Sequence, residues 1–121
     1  MNTFKQDNMK IINYTNNAVI SENLTISDTY FKRLKGLLGK KFLKDESILI
    51  KPCRWIHSYG MFFEFDAVFL DKDLNVVYLI SNFKKNRVSP LIFKAKNVLE
   101  LPAGNIQQNN IKIGDKLEII P

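Results

Sequence analysis

Reactive side chains are scarce in this chain: it has one cysteine, Cys53, one histidine, His57, and one tryptophan, Trp55. A lone cysteine closes no internal disulfide, which fits a reducing compartment. One Cys and one His fall short of the four ligands of a structural zinc site. If residues 53–57 are extended, the Cα atoms of that pair lie about 13 Å apart at about 3.3 Å per residue. If they form a helical turn, with Pro52 at its start and Gly60 at its end, the pair are neighbours, but carboxylates must complete any site. No metal and no cofactor is therefore expected. A Gly-rich phosphate loop and a G-x-S-x-G elbow are both missing. The opening stretch "MNTFKQDNMK" lacks the apolar run of a signal peptide, and no window approaches the length of a membrane span. The expectation is a soluble, cytoplasmic protein with no membrane span.

What is present points to one compact domain over residues 1–121, since 45% of the 121 residues are hydrophobic. Lys and Arg number 18 against 12 Asp and Glu, a formal charge of +6. The cations are spread over Lys32–Lys44 and Lys84–Arg87, with no Arg-rich tract. Lys, Asn and Ile are abundant together, so Lys reads as the default surface residue and a nucleic-acid partner is disfavoured.

Period-2 patterning dominates. "MKIINY" (9–14), "NLTIS" (23–27), "SILI" (47–50), "VVYLI" (76–80), "NVLELPAG" (97–104) and the end of "IGDKLEII" (113–120) read as strands. "NYTNNA" reads as a turn-rich break, and "NFKKNRVSP" (82–90) as a basic loop. "MFFEFDAVFLD" (61–71) alternates, with Met61, Phe63, Phe65, Ala67 and Phe69 on one side and Glu64, Asp66 and Val68 on the other. The polar "DKDLN" makes it a hairpin with 76–80. The one helix is "SDTYFKRLKGLLG", with Ser27 or Asp28 as cap, a stripe of Tyr30, Phe31, Leu34, Leu37 and Leu38, and Gly39 at its end. No βαβ alternation is seen. The expected fold is mainly β (α+β): a small antiparallel β-barrel or sandwich with one packed α-helix.

"FKRLKGLLGKKFL", "CRWIHSYGMFFEFDAVFLDKDLNVV", "VLELPAG" and "IGDKLEII" follow one another in this order. In that set and spacing the chain resembles the bacterial and archaeal family called domain of unknown function 192, over roughly residues 28–120. The resemblance implies a small β-barrel or sandwich with a helix, and it implies no activity. The family's recurrent positions match Arg33, Gly36 and Leu37; His57 and Met61; Asp66, Phe69 and Asp71; Glu100 to Gly104; and Gly114 and Asp115. Leu38 stands where the family commonly has Met, and Glu64 where Pro is common. Many members carry an export signal, and none is seen here.

Three functional readings follow. The leading one is a binding module whose polar and aromatic pocket takes a small ligand or peptide, with Arg33, His57, Tyr59, Met61, Asp66 and Glu100 as site residues. His57 is the one residue that titrates near neutrality unaided. If the fold converges as the resemblance implies, Arg33, Asp66 and Glu100 meet it at one end. The second reading is a hydrolase-like enzyme with His57 and Asp66 or Glu100 as acid–base pair. Against both, Asp66 can simply bond turn amides or Arg33, His57 a backbone carbonyl, and Glu100 a loop. The third is a weak nucleic-acid or anionic-surface binder acting through the Lys-rich regions, since aromatics beside cations bind single strands. Cys53 is expected to be a small buried hydrophobe. Phe63 and Phe65 are expected in the core, while Trp55, Tyr59 and Phe62 stay open between core and ligand platform. Pro102, Gly104 and Asp115 read as backbone devices: strand stop, positive φ and turn cap.

Overall fold

A computed structural model describes residues 9–27 and 45–121, so the expected helix, and Arg33 with it, lies outside the described residues. Strands β1 (Lys10–Asn13), β2 (Ala18–Ser21) and β8 (Leu117–Ile120) form an antiparallel sheet in the order β2-β1-β8. A second sheet runs β3-β4-β7-β5-β6, from β3 (Asn23–Ser27), β4 (Glu46–Ile50), β5 (Phe65–Leu70), β6 (Val76–Phe83) and β7 (Asn97–Pro102). A single-turn helix, α1 (Asn105–Gln108), follows β7. Among the described residues neither sheet closes on itself, so the sandwich is the realised form of the expected fold.

The core lies between the sheets. Ile11, Ile20 and Leu117 of the small sheet meet Leu24, Leu49, Val68, Leu99 and Leu101 of the large one. Each such side chain contributes about 1.5–3 kcal/mol on burial. The large sheet has a second apolar face, with Ile50, Phe65, Ala67, Phe69 and Val98 under Cys53, Ile56, Met61, Phe63 and Ala95 from two long loops. β5 is thus buried at every position. That is why "FDAVFL" is apolar on both of its faces apart from Asp66.

Several boundaries differ from expectation for local reasons. β5 begins at Phe65 because Met61 N–H bonds back to Ser58 O (3.1 Å) across Gly60 at φ 83, making 58–61 a turn. β2 emerges directly from the Asn-rich break, where Asn17 takes φ 63 and its N–H bonds to Asn13 O at 2.7 Å. α1 has no apolar periodicity to announce it in so short a segment. β3 and β4 pair in parallel, whereas a mainly antiparallel arrangement was expected.

The expected "DKDLN" loop is confirmed and closed by Asp71. Its Oδ1 accepts from Asp73 N–H and Asn75 N–H (both 2.9 Å) and its Oδ2 from the Asn75 amide (3.1 Å). Gly114 takes φ 96, and Asp115 Oδ2 accepts from Lys112 N–H (2.8 Å) and the Asn13 amide (2.7 Å). The turn cap expected of Asp115 is what it forms, and it also ties β1 to the last turn.

Candidate functional site

The residues expected to share a site are distributed over three environments. Asp66 has no solvent-exposed surface. One oxygen accepts from Asn82 N–H (2.8 Å); the other accepts from Gly104 N–H (3.1 Å) and Ile106 N–H (2.8 Å). It joins a left-handed residue of β6 (Asn82, φ 53), the "PAG" loop and the first turn of α1. Charge-assisted bonds of this kind are about twice as strong as neutral ones. Gly104 sits at φ 96, and a Cβ there would meet nothing within 4 Å, so its requirement is conformational and not steric.

Glu100 is equally inaccessible, but its side chain leaves the other face. Residues paired across an antiparallel ladder share a face. Glu100 pairs with Ala67 and with Ile48, whereas Asp66 pairs with Leu101. Asp66 therefore points toward the inter-sheet core and Glu100 toward the loop-covered core. Asp66 and Glu100 do not meet on one face, because a one-step offset along paired strands reverses the face. Met61 is also interior, 3% exposed.

His57 and Tyr59 do come together, on a ribbon built from the two long loops. The β4–β5 and β6–β7 connections run antiparallel. Cys53 N–H bonds to Lys96 O (2.7 Å), Ile92 N–H to Arg54 O (2.9 Å), Ser89 N–H to Ile56 O (2.8 Å) and Ser58 N–H to Arg87 O (2.9 Å). His57 bridges Val88. Buried serines lock the pairing: Ser89 Oγ accepts from Ile56 N–H and Ser58 Oγ from Arg87 N–H, each at 2.9 Å. Ile56 and Ser58 point inward, so Trp55, His57 and Tyr59 share the outer side. Ring centroids are 6.1 Å apart for Trp55 and His57 and 5.4 Å for His57 and Tyr59. Tyr59 N–H donates to His57 Nδ1 (3.2 Å), which makes Nδ1 an acceptor and puts the neutral ring's proton on Nε2. Trp55 is 48% exposed and Tyr59 51%. Both, with exposed Phe62, resolve to the outer surface, while Phe63 and Phe65 are core as expected.

Beside Trp55 the ribbon opens a cleft of about 440 Å³, lined by Pro52, Cys53, Arg54, Trp55, Leu91 and Lys96. A neighbouring depression of about 330 Å³ shares Pro52 and Lys96 and adds Lys51, Lys72 and Asn97. Neither has a carboxylate among its described lining residues. Arg54 Nε bonds to Ala95 O (2.9 Å), which anchors the guanidinium at the rim. Cys53, 8% exposed, donates its thiol to Trp55 O (3.1 Å) and packs as expected. Among the described residues no group of three or more His, Cys, Asp and Glu side chains is placed to hold a metal ion. Arg54, Leu91 and Lys96 were not among the expected site residues. No local periodicity marked them, because the segment facing residues 53–58 is some 30 positions away in the chain.

The profile of the DUF192 family, described as "Uncharacterized ACR", matches residues 11–119. A UPF0127 protein of Thermococcus sibiricus is 31% identical over 118 residues, covering 89% of this chain and 73% of that protein. A UPF0127 protein of Thermococcus kodakarensis is 27% identical over 116 residues, covering 92% and 73%. A crystal structure of a protein of unknown function from Novosphingobium aromaticivorans superposes with a TM-score of 0.75 at 20% identity, covering 91% of this chain and 82% of that one. At that identity the likeness speaks for the fold alone. No helix among the described residues is long and apolar enough to cross a membrane.

Proposed function

The chain belongs to the DUF192 family, and from that premise we propose that it is a small binding module for an anionic ligand or peptide carrying an apolar or aromatic group. The contact surface is the outer side of the loop ribbon. His57 and Tyr59 of the expected set serve there, joined by Arg54, Trp55 and Lys96. The observation that carries this reading is the cleft: a half-exposed indole ring beside two cations, with no carboxylate among its described lining residues. An apolar floor with a few convergent charges is the usual composition of a ligand site. Asp66 supports the same reading by default, since its oxygens are taken by backbone amides.

Calorimetric titration with aromatic carboxylates and phosphates tests it. Binding is expected with the native protein, and Lys96→Glu is expected to weaken it about tenfold or more, because a like charge then faces the ligand. Equal affinity of the native and Lys96→Glu proteins would contradict the placement of the site.

A further inference from the structure

We infer that the ligand class of this surface is single-stranded nucleic acid, laid along the ribbon with bases on the Trp55–His57–Tyr59 ladder. This rests on the binding reading above and adds a separate observation: the arrangement of rings and charges in a line. The rings occupy alternate positions on one side of an extended segment, at centroid spacings of 6.1 and 5.4 Å. Bases stacked in a duplex repeat at about 3.4 Å and offer no free π-face. A splayed single strand offers one per nucleotide, and aromatic side chains, histidine included, stack on it.

Cations flank the ladder at both ends. Arg54 and Lys96 lie beside Trp55. Lys84, Lys85 and Arg87 lie at the other end, where Ser58 N–H and Oγ bond to the carbonyls of Arg87 and Lys84. Of these exposed cations, Lys84 is ion-paired to Glu64 at 3.2 Å. The order along the ribbon is thus cation, ring, ring, ring, cation, so that the phosphates at either end of a short run of stacked bases would meet a cation.

Two other anionic partners fit less well. An anionic bilayer offers an apolar interior, which a polar imidazole at the centre of the ladder matches poorly. An acidic peptide supplies charge but no π-face at each residue, which leaves the ladder without a counterpart.

Trp55 is the chain's only tryptophan, so its fluorescence reports contact directly. The experiment titrates the whole protein with an oligothymidylate of about twelve nucleotides, within the usual site-size range, at low salt. In parallel arms it uses thymidine monophosphate, poly-glutamate of similar charge, and vesicles of anionic phospholipid. The oligonucleotide is expected to quench Trp55, with affinity falling as salt rises at a log–log slope of about 2–3, from three to four phosphates at about 0.7 each. Tyr59→Ala is expected to weaken binding about 5- to 100-fold through lost stacking with an unchanged melting temperature. Lys85→Gln is expected to lower the slope by about 0.7. Poly-glutamate or vesicles binding as tightly as the oligonucleotide would overturn the inference in favour of simple charge or a lipid surface. If the monophosphate quenches Trp55 but the longer strand binds no tighter, the inference fails and the binding-module reading stands. If neither nucleotide changes Trp55, both fail.

Discussion

The corner around Asp66 and the ribbon around Trp55 use the same material, a loop held by backbone hydrogen bonds, and put their functional groups to opposite use. At the corner the carboxylate is interior, and all its bonds go to amides of Asn82, Gly104 and Ile106. On the ribbon the small side chains Ser58 and Ser89 take that role, and the large rings and cations face water. Asp66 in the interior thus acts as a structural joint. On the ribbon the serines hold the backbone and leave the larger side chains at the surface.

Substitutions separate the two regions by what they damage. The largest effect is expected at the corner. Asp66→Ala leaves three inward amides without their acceptor, at about 1–3 kcal/mol for each unsatisfied group. A loss of about 3–5 kcal/mol in denaturant unfolding, a large share of an ordinary domain's stability, is the expected outcome. A melting curve like the native one would contradict the structural role of Asp66. Next comes Gly104→Ala, which forces a Cβ into φ 96 and is expected to cost about 1–3 kcal/mol, measured the same way.

Asp71 gives a smaller, pH-dependent effect. Burial raises its carboxyl pKa, but the Asn75 backbone and side-chain amides, the Asp73 amide and the Lys116 charge outweigh that and hold it below the ordinary aspartate range. A depressed native value means the carboxylate stabilises the fold fully above its unfolded value and loses that contribution as pH falls through the native one. Melting temperature is therefore expected to fall on acidification below about pH 4, with Asp71→Asn flattening that part of the profile. The smallest effect on stability is expected on the ribbon: Phe93→Ser, at a ring 79% exposed, should stay within about 0.5 kcal/mol.

Much of the fold was legible because strands carry their own period. β3 matches "NLTIS" over Asn23–Ser27, and Pro102, Gly104 and Asp115 act as their residue types imply. The site was less legible because convergence is a property of register. Asp66 and Glu100 both look like isolated acids on apolar strands. Only the pairings Ala67 with Glu100 and Asp66 with Leu101 reveal that they leave opposite faces. The ribbon failed to announce itself for a related reason. "CRWIHSYGM" looks irregular alone and becomes regular when residues 87–96 lie against it, a pairing that no local periodicity encodes.

If the proposed reading holds, partners meet the ribbon and not the interior carboxylates. Amide chemical-shift mapping during titration with thymidine monophosphate tests it most directly. The expected result is a set of shifts concentrated in residues 53–59 and 87–96, with Asn82, Gly104 and Ile106 unmoved. Shifts centred on Asn82, Gly104 and Ile106 instead would contradict it.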